Sequence, residues 1–206
     1  MLELRNSATP ATIVSRQAAF IREDGRIVAL DGVSDVSFRT VADGNYFVNI
    51  RQRNHLGIRT AAVRVLSSTM GIAVPAVYDF STAQSQAFQN PLVTANGAMV
   101  DMGAGVFGML GGNANGSAGT PTVGNATIRA NGGTNGLVND YVYLTTTVLG
   151  GTVNNPITNV YHTADINLDG TVRANGGTNP AVNDYIFLTT TALGGNVNKV
   201  LTQHQN

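Results

Sequence analysis

The sequence predicts a mixed, mainly β protein: an antiparallel β-sandwich over residues 1–110, followed by a small duplicated loop–helix module over residues 111–206. Three observations carry this expectation. Short β-rich segments separated by turn residues fill the earlier part, as an antiparallel sandwich requires. Thr127 to Asn154 returns 44 positions later as Thr171 to Asn198, with 21 of 28 positions identical, the mark of an internal structural repeat. Basic charge is segregated: nine of the twelve basic residues are arginines at or before Arg64, and the 142 residues after it hold only Arg129, Arg173 and Lys199.

In the first module, Ala18 to Arg22 and Arg26 to Leu30 flank Glu23-Asp24-Gly25, where Asp-Gly supplies the positive φ of a tight hairpin. Val36 to Val41, a turn at Asp43-Gly44, and Asn45 to Arg51 read as a second hairpin. Within that last strand Tyr46, Val48 and Ile50 share one face, expected to point to the core. Further strands are expected at Ile58 to Val65, Gly71 to Val74 and Ala98 to Val100. Met1 to Arg5 reads as a strand caught at its start, and two readings of it stand. It is either an ordinary edge or an open edge left by an upstream strand absent from the chain, ready to pair with another copy.

The repeat reads as loop then helix, twice. Asn179 before Pro180 suits an N-cap and a first helical position. Val182, Tyr185, Ile186, Leu188, Ala192 and Leu193 recur at helical spacing until Gly194-Gly195 ends the run. Val138, Tyr141, Val142, Leu144, Val148 and Leu149, stopped by Gly150-Gly151, are their counterparts. Against a helix stand the Thr triplets 145–147 and 189–191, because β-branched residues prefer strands.

Asp165-Ile-Asn167-Leu-Asp169-Gly170 enters the second copy with oxygen side chains at alternating positions. An EF-hand-type loop uses oxygens at positions 1, 3 and 5, Gly at 6, a carbonyl at 7 and a closing acid. Asp165, Asn167, Asp169, Gly170 and the Thr171 carbonyl fill the first five roles. The twelfth position falls on Gly176, which has no oxygen side chain; with Arg173 to Val182 read as an insertion, Asp184 becomes the closing ligand. The ion implied is Ca²⁺, with affinity of roughly 10⁻⁶ to 10⁻³ M; the alternative is an ordinary solvated Asp/Asn/Gly turn. In the first copy Pro121, Val123 and Asn125 align with the three loop ligands, so its carboxylates are missing. Asn113-Ala-Asn115-Gly-Ser117, displaced upstream, together with Asp140 forms a weaker second candidate.

Composition narrows the function classes. Zero net charge with 12% charged residues argues against nucleic acid, which needs a concentrated basic surface. Cysteine is absent, which excludes disulfides, thiolate metal sites and thiol nucleophiles. No apolar run is long enough for a transmembrane helix, and the first residues lack a signal-peptide pattern. Expected, then, is either a cytoplasmic chain or a mature fragment of a longer precursor. His55, His162 and His204 are scattered and match no catalytic motif. His55, after Arg51 and Arg53, reads as a rim residue or part of an anion-binding patch, and His162 as structural. Gly-rich stretches at 103–112 and 131–133 lack the Lys-Ser/Thr ending of a phosphate loop and read as turns.

The Asp165 to Gly170 loop, its related first segment and the Asn-Asp-Tyr helix resemble a dockerin-type duplicated calcium-binding module. The form is the insertion-bearing one at the ends of large secreted surface proteins of Bacteroidetes-like bacteria. Leu2 to Pro10, Phe20 to Val28, Asp43 to Arg51 and Arg53-Asn-His-Leu56 resemble the β-sandwich that commonly precedes it there. The resemblance implies an extracellular or cell-surface location and a structural, adhesive or assembly role. The lost acids of the first loop put paired-site cohesin recognition in doubt.

The expectation is therefore a non-enzyme, stabilised by Ca²⁺, whose partner is a second copy (an oligomer or fibre) or another surface protein. The rival is a glycan-binding accessory module of a secreted enzyme, with Tyr46 and its neighbours, Tyr78 and Phe80 stacking on sugar. Absent tryptophan and 6% aromatic content weigh against that rival.

Overall fold

A computed structural model of the chain describes residues 1–68, 77–117 and 126–205. The strand expected at Gly71 to Val74 lies outside the described residues. The chain is mainly β, in small antiparallel sheets, with two short helices. The largest sheet joins β1 (Leu2–Asn6), β2 (Ile13–Gln17), β5 (Gly44–Ile50) and β6 (Ile58–Arg59) in the order β2-β1-β5-β6, and β7 (Arg64–Leu66) also pairs with β5. β3 (Phe20–Ile21) and β4 (Ile27–Val28) form the expected first hairpin, its turn closed by the Gly25 N–H on the Arg22 carbonyl.

Two expectations are corrected here. Val36 to Val41 forms no strand, and β5 takes its partners from residues 2–6, 58–59 and 64–66. β1 is not an edge: Leu4 pairs with Ser15 on one side and Val48 on the other. Both faces of β1 are buried, Leu2 and Leu4 on one and Glu3 and Arg5 on the other.

The second face explains why β5 does not read as a simple apolar-in strand. Asn49, opposite Glu3, is fully buried, whereas Tyr46, Val48 and Ile50 are only half-buried. The Glu3 carboxylate accepts from Arg5 Nη2 and Arg16 Nε at 3.0 Å and from Asn49 Nδ2 at 2.9 Å, and pairs with Arg51 Nε at 3.0 Å. Burial pushes its pKa up, but Arg51, Asn49 and Arg5 outweigh this and hold it below the ordinary value. The Arg59 guanidinium lies between the rings of Phe47 and Phe88, 4.4 and 3.9 Å from their centres. A buried charge is tolerated only when partnered, and Glu3 organises most of these partners.

Next come β8 (Met99–Gly103) and β9 (Val106–Met109), a bulged hairpin, then the repeat. β10 (Thr127–Arg129) precedes α1 (Asp140–Val142), which widens into a π-helical turn over Tyr143–Val148 and is followed by β11 (Ile157–Thr158). The second copy repeats this as β12 (Thr171–Val172), α2 (Asp184–Ile186), a π turn over Phe187–Ala192, and β13 (Val200–Thr202). The copies exchange partners: β10 pairs with β13, and β11 with β12. Side chains repeat the exchange, since Asn131 Nδ2 donates to Asn198 and Asn175 Nδ2 to Asn154. Ile128, Leu144 and Leu149 meet Val172, Leu188 and Leu193 in one buried cluster. Each such leucine contributes about 1.5–3 kcal/mol by leaving water.

Leu56 and Leu110 belong to that same cluster, while Ile58, Ala87, Ala98 and Met99 form a second one. The chain's last described residues return to the first module. Gln205 Nε2 donates to the carbonyls of Ile50 and Ile58, and His204 Nδ1 accepts from the Asn90 N–H at 2.9 Å. Gly57 leaves room for this docking, because a Cβ there would stand 2.0 Å from Gln205 Nε2.

Candidate cation loop

The loop from Asp165 to Gly170 connects β11 to β12 and turns on its own side chains. The Asp169 N–H points at both Asp165 Oδ1 (3.1 Å) and Asn167 Oδ1 (3.2 Å), so these two oxygens converge on one side of the turn. The Gly170 N–H donates to Asp165 Oδ2 at 3.2 Å, and the Thr171 N–H to Asp169 Oδ1 at 2.8 Å. Gly170, at φ +83°, makes the sharp bend that ends the loop.

Asp184 reaches the loop from the start of α2, as the spacing predicts. Its Oδ1 accepts from Ile166 N at 2.6 Å and Asn167 N at 3.2 Å, and its Oδ2 from Arg173 N at 2.7 Å. The carboxylate thus reaches back 18 positions to Ile166 in the loop and also holds Arg173, just after β12. Burial pushes its pKa up to about 6, against the pull of those N–H donors, and the neighbouring Asp165 charge adds to the rise.

One further expectation is corrected: α2 starts at Asp184 and not at Pro180. The cap is Asn183, whose side chain accepts from Ile186 N and donates to the Gly177 carbonyl. The Asn179 side chain accepts from Ala181 N and its carbonyl from Val182 N, within a turn. The Thr triplets find their place in the π turn. Thr189 Oγ1 donates to the Tyr185 carbonyl at 2.9 Å and Thr190 Oγ1 to that of Ile186 at 2.6 Å, back-bonding that competes with the helical ladder. Leu193 N then bonds back five residues, to the Leu188 carbonyl.

The first copy reproduces the scaffold with different chemistry. Asp140 accepts from Asn115 N at 3.2 Å and Arg129 N at 2.9 Å, as Asp184 does from Asn167 and Arg173. Asn113, Asn115 and Ser117 therefore stand where Asp165, Asn167 and Asp169 stand, and Pro121, Val123 and Asn125 lie outside the described residues. Ser117 Oγ donates to Asn113 Oδ1 at 3.1 Å, and Asn113 Nδ2 to the Ser117 carbonyl at 2.8 Å, so amide and hydroxyl bonds hold this loop closed. Burial pushes Asp140 up to about 7.

Both loops are fastened to the first module through Arg53-Asn54-His55, which no spacing within the repeat signals. The buried Asn54 donates its amide to the Asp165 carbonyl at 2.6 Å and accepts at its own carbonyl from Gly112 N and Asn113 N. Arg53 Nη2 lies 3.5 Å from Asp165 Oδ2 while its guanidinium stacks on Tyr161, 4.0 Å from the ring centre. His55 bridges to Gly111 at the same seam, and burial together with the Arg53 charge lowers its pKa to about 4. The anion patch of Arg51, Arg53 and His55 does not form, because Arg51 serves Glu3 and Arg53 serves Asp165. His162 Nδ1 accepts from Ala164 N at 3.0 Å.

Among the described residues no three His, Cys, Asp or Glu side chains form a metal-holding group by themselves. A hard cation here would draw also on the Asn167 amide and the Thr171 carbonyl. That oxygen-only set suits Ca²⁺, which accepts carboxylate, amide and backbone oxygens together. Of the aromatics put forward for sugar stacking, Tyr78 and Phe80 pack edge-on at 4.9 Å and Tyr46 bonds to the Ala42 carbonyl. No helix among the described residues is long and apolar enough to cross a membrane. The chain matches no protein-family model, no curated protein and no solved structure.

Proposed function

We propose that the chain is a non-catalytic extracellular or cell-surface part, a β-sandwich module carrying a dockerin-like duplicated module that Ca²⁺ stabilises. The observation that carries this reading is the convergence of Asp165 Oδ1 and Asn167 Oδ1 on one side of a turn tied down by Asp184. Asp165, Asn167, Asp169, the Thr171 carbonyl and Asp184 are the residues that would hold the ion, which supplies charge neutralisation and cross-linking of the loop. Asn113, Asn115 and Asp140 offer one carboxylate among amides, a set with far less attraction for a dication. Pairing through an open first strand has lost its support, since β1 is central. Assembly with a second copy or another surface protein is proposed through other surfaces.

The test is thermal unfolding of the full chain in EDTA and in 10 mM CaCl₂. At a Kd of about 10⁻⁴ M the ion adds about 2.7 kcal/mol, which raises Tm by roughly 5–10 °C in a chain of this size. Asp169→Asn should lose most of that shift; identical melts with and without the ion contradict the reading. Electron microscopy addresses assembly, with single dispersed particles at every concentration counting against it. A second reading, a glycan-binding accessory module of a secreted enzyme, draws on Tyr161, which is 86% exposed beside the loop. Selective, competable binding on a glycan array would favour it.

A further inference from the structure

We infer that Arg53 is a place-holding cation for the Asp165 loop: it neutralises Asp165 when no divalent ion is present, and it thereby sets the loop's affinity low. The inference rests on the reading of that loop as a calcium site. Arg53 belongs to the first module, 112 positions from Asp165, yet its Nη2 lies 3.5 Å from Asp165 Oδ2, and both side chains are nearly buried, 10% and 2% exposed. The guanidinium also stacks on the Tyr161 ring, 4.0 Å from its centre, a second contact that favours its position beside the loop. It meets Oδ2, the oxygen already bonded to the Gly170 N–H, and leaves Oδ1 facing Asn167 Oδ1.

The charges explain both roles. Asp165, Asp169 and Asp184 carry three negative charges, one more than a dication cancels. Arg53 supplies the remaining positive charge, so the filled loop is neutral and the empty one is relieved of part of its internal repulsion. The same fixed charge repels an incoming dication, and affinity in such loops follows the number of net negative charges. A site tuned this way fills at the millimolar calcium of extracellular fluid and empties below it. Asn54, next in the chain, holds the carbonyl of Asp165 and the start of the first loop. Ion occupancy and the seating of the second module on the first are therefore coupled through two consecutive residues.

The experiment is calorimetric titration of Ca²⁺ into the full chain, wild type against Arg53→Gln, Arg53→Lys and Tyr161→Ala, with circular dichroism confirming the fold. Arg53→Gln should bind about tenfold more tightly, melt lower in EDTA, and show a larger calcium-induced rise in Tm. Arg53→Lys, which keeps the charge, should stay near the wild type. Tyr161→Ala, an exposed change that folds even if Arg53→Gln does not, should tighten binding in the same direction by releasing the guanidinium. Wild-type binding with equal or weaker binding by Arg53→Gln and Tyr161→Ala overturns the place-holder and leaves the calcium site standing. No binding by any variant at 10 mM ion overturns both.

Discussion

Asp184 carries three backbone N–H donors on one carboxylate, from both ends of the loop that it closes. The side chain is fully buried, so removing it strands those donors away from water. Asp184→Ala is expected to cost about 3 kcal/mol or more, read as a shift in urea midpoint at unchanged m-value. Asp169→Ala, whose carboxylate receives one exposed N–H, should cost under about 1 kcal/mol in EDTA. The contrast separates the two uses of acid in this loop. Asp184 is expected to hold the turn with or without an ion, and Asp169, on the calcium reading proposed above, to matter chiefly to the ion. The spacing puts both acids forward as ligands, but it gives no sign of the structural task of Asp184, because its partners are backbone groups that leave no trace in a spacing pattern.

At the scale of elements, the helix of each copy shows what local pattern can and cannot decide. The apolar spacing and the Gly-Gly stop identify the element and its end correctly. The start is different, since Asn179-Pro180 and Asn183-Asp184 both satisfy the rules for a helix beginning. The choice is made by Asp184 reaching the loop at Ile166, a long-range bond that places the first helical residue. Asn183→Ala should therefore cost about 1–2 kcal/mol, and Asn179→Ala less than about 0.5 kcal/mol, in paired denaturation curves. The π turns follow from the Thr triplets, whose hydroxyls occupy carbonyls that the ladder would otherwise use. Those triplets count against a plain helix and point to its widening. In the first module the strand β5 was legible, but neither its buried face nor its partners were. The segment next to it in sequence reads as a strand, yet the partners that win come from β1, β6 and β7, which bring Glu3 and Arg59 opposite Asn49.

Across the whole molecule the earlier residues and the repeat share a seam that the repeat gives no reason to expect. Leu56 and Leu110 enter the core of the duplicated module, and Gln203, His204 and Gln205 are buried on return to the first. His55 reports on this seam. Its pKa is lowered to about 4 by burial, with the Arg53 charge adding to the effect, so the neutral ring favours the folded state. That contribution is complete above the unfolded value near pH 6.5 and drains away as pH falls toward 4. The wild type should lose up to roughly 3 kcal/mol over this interval relative to His55→Asn, measured as the difference between their urea curves at pH 7 and pH 4. A constant difference would mean that the seam does not exclude water from the ring. The central claim, that the Asp165 loop is a calcium clasp, is tested most directly by a crystal structure solved in 10 mM CaCl₂. The account predicts an ion about 2.3–2.6 Å from the side-chain oxygens of Asp165, Asn167, Asp169 and Asp184 and from the Thr171 carbonyl. A well-ordered loop holding only water at those oxygens would contradict it.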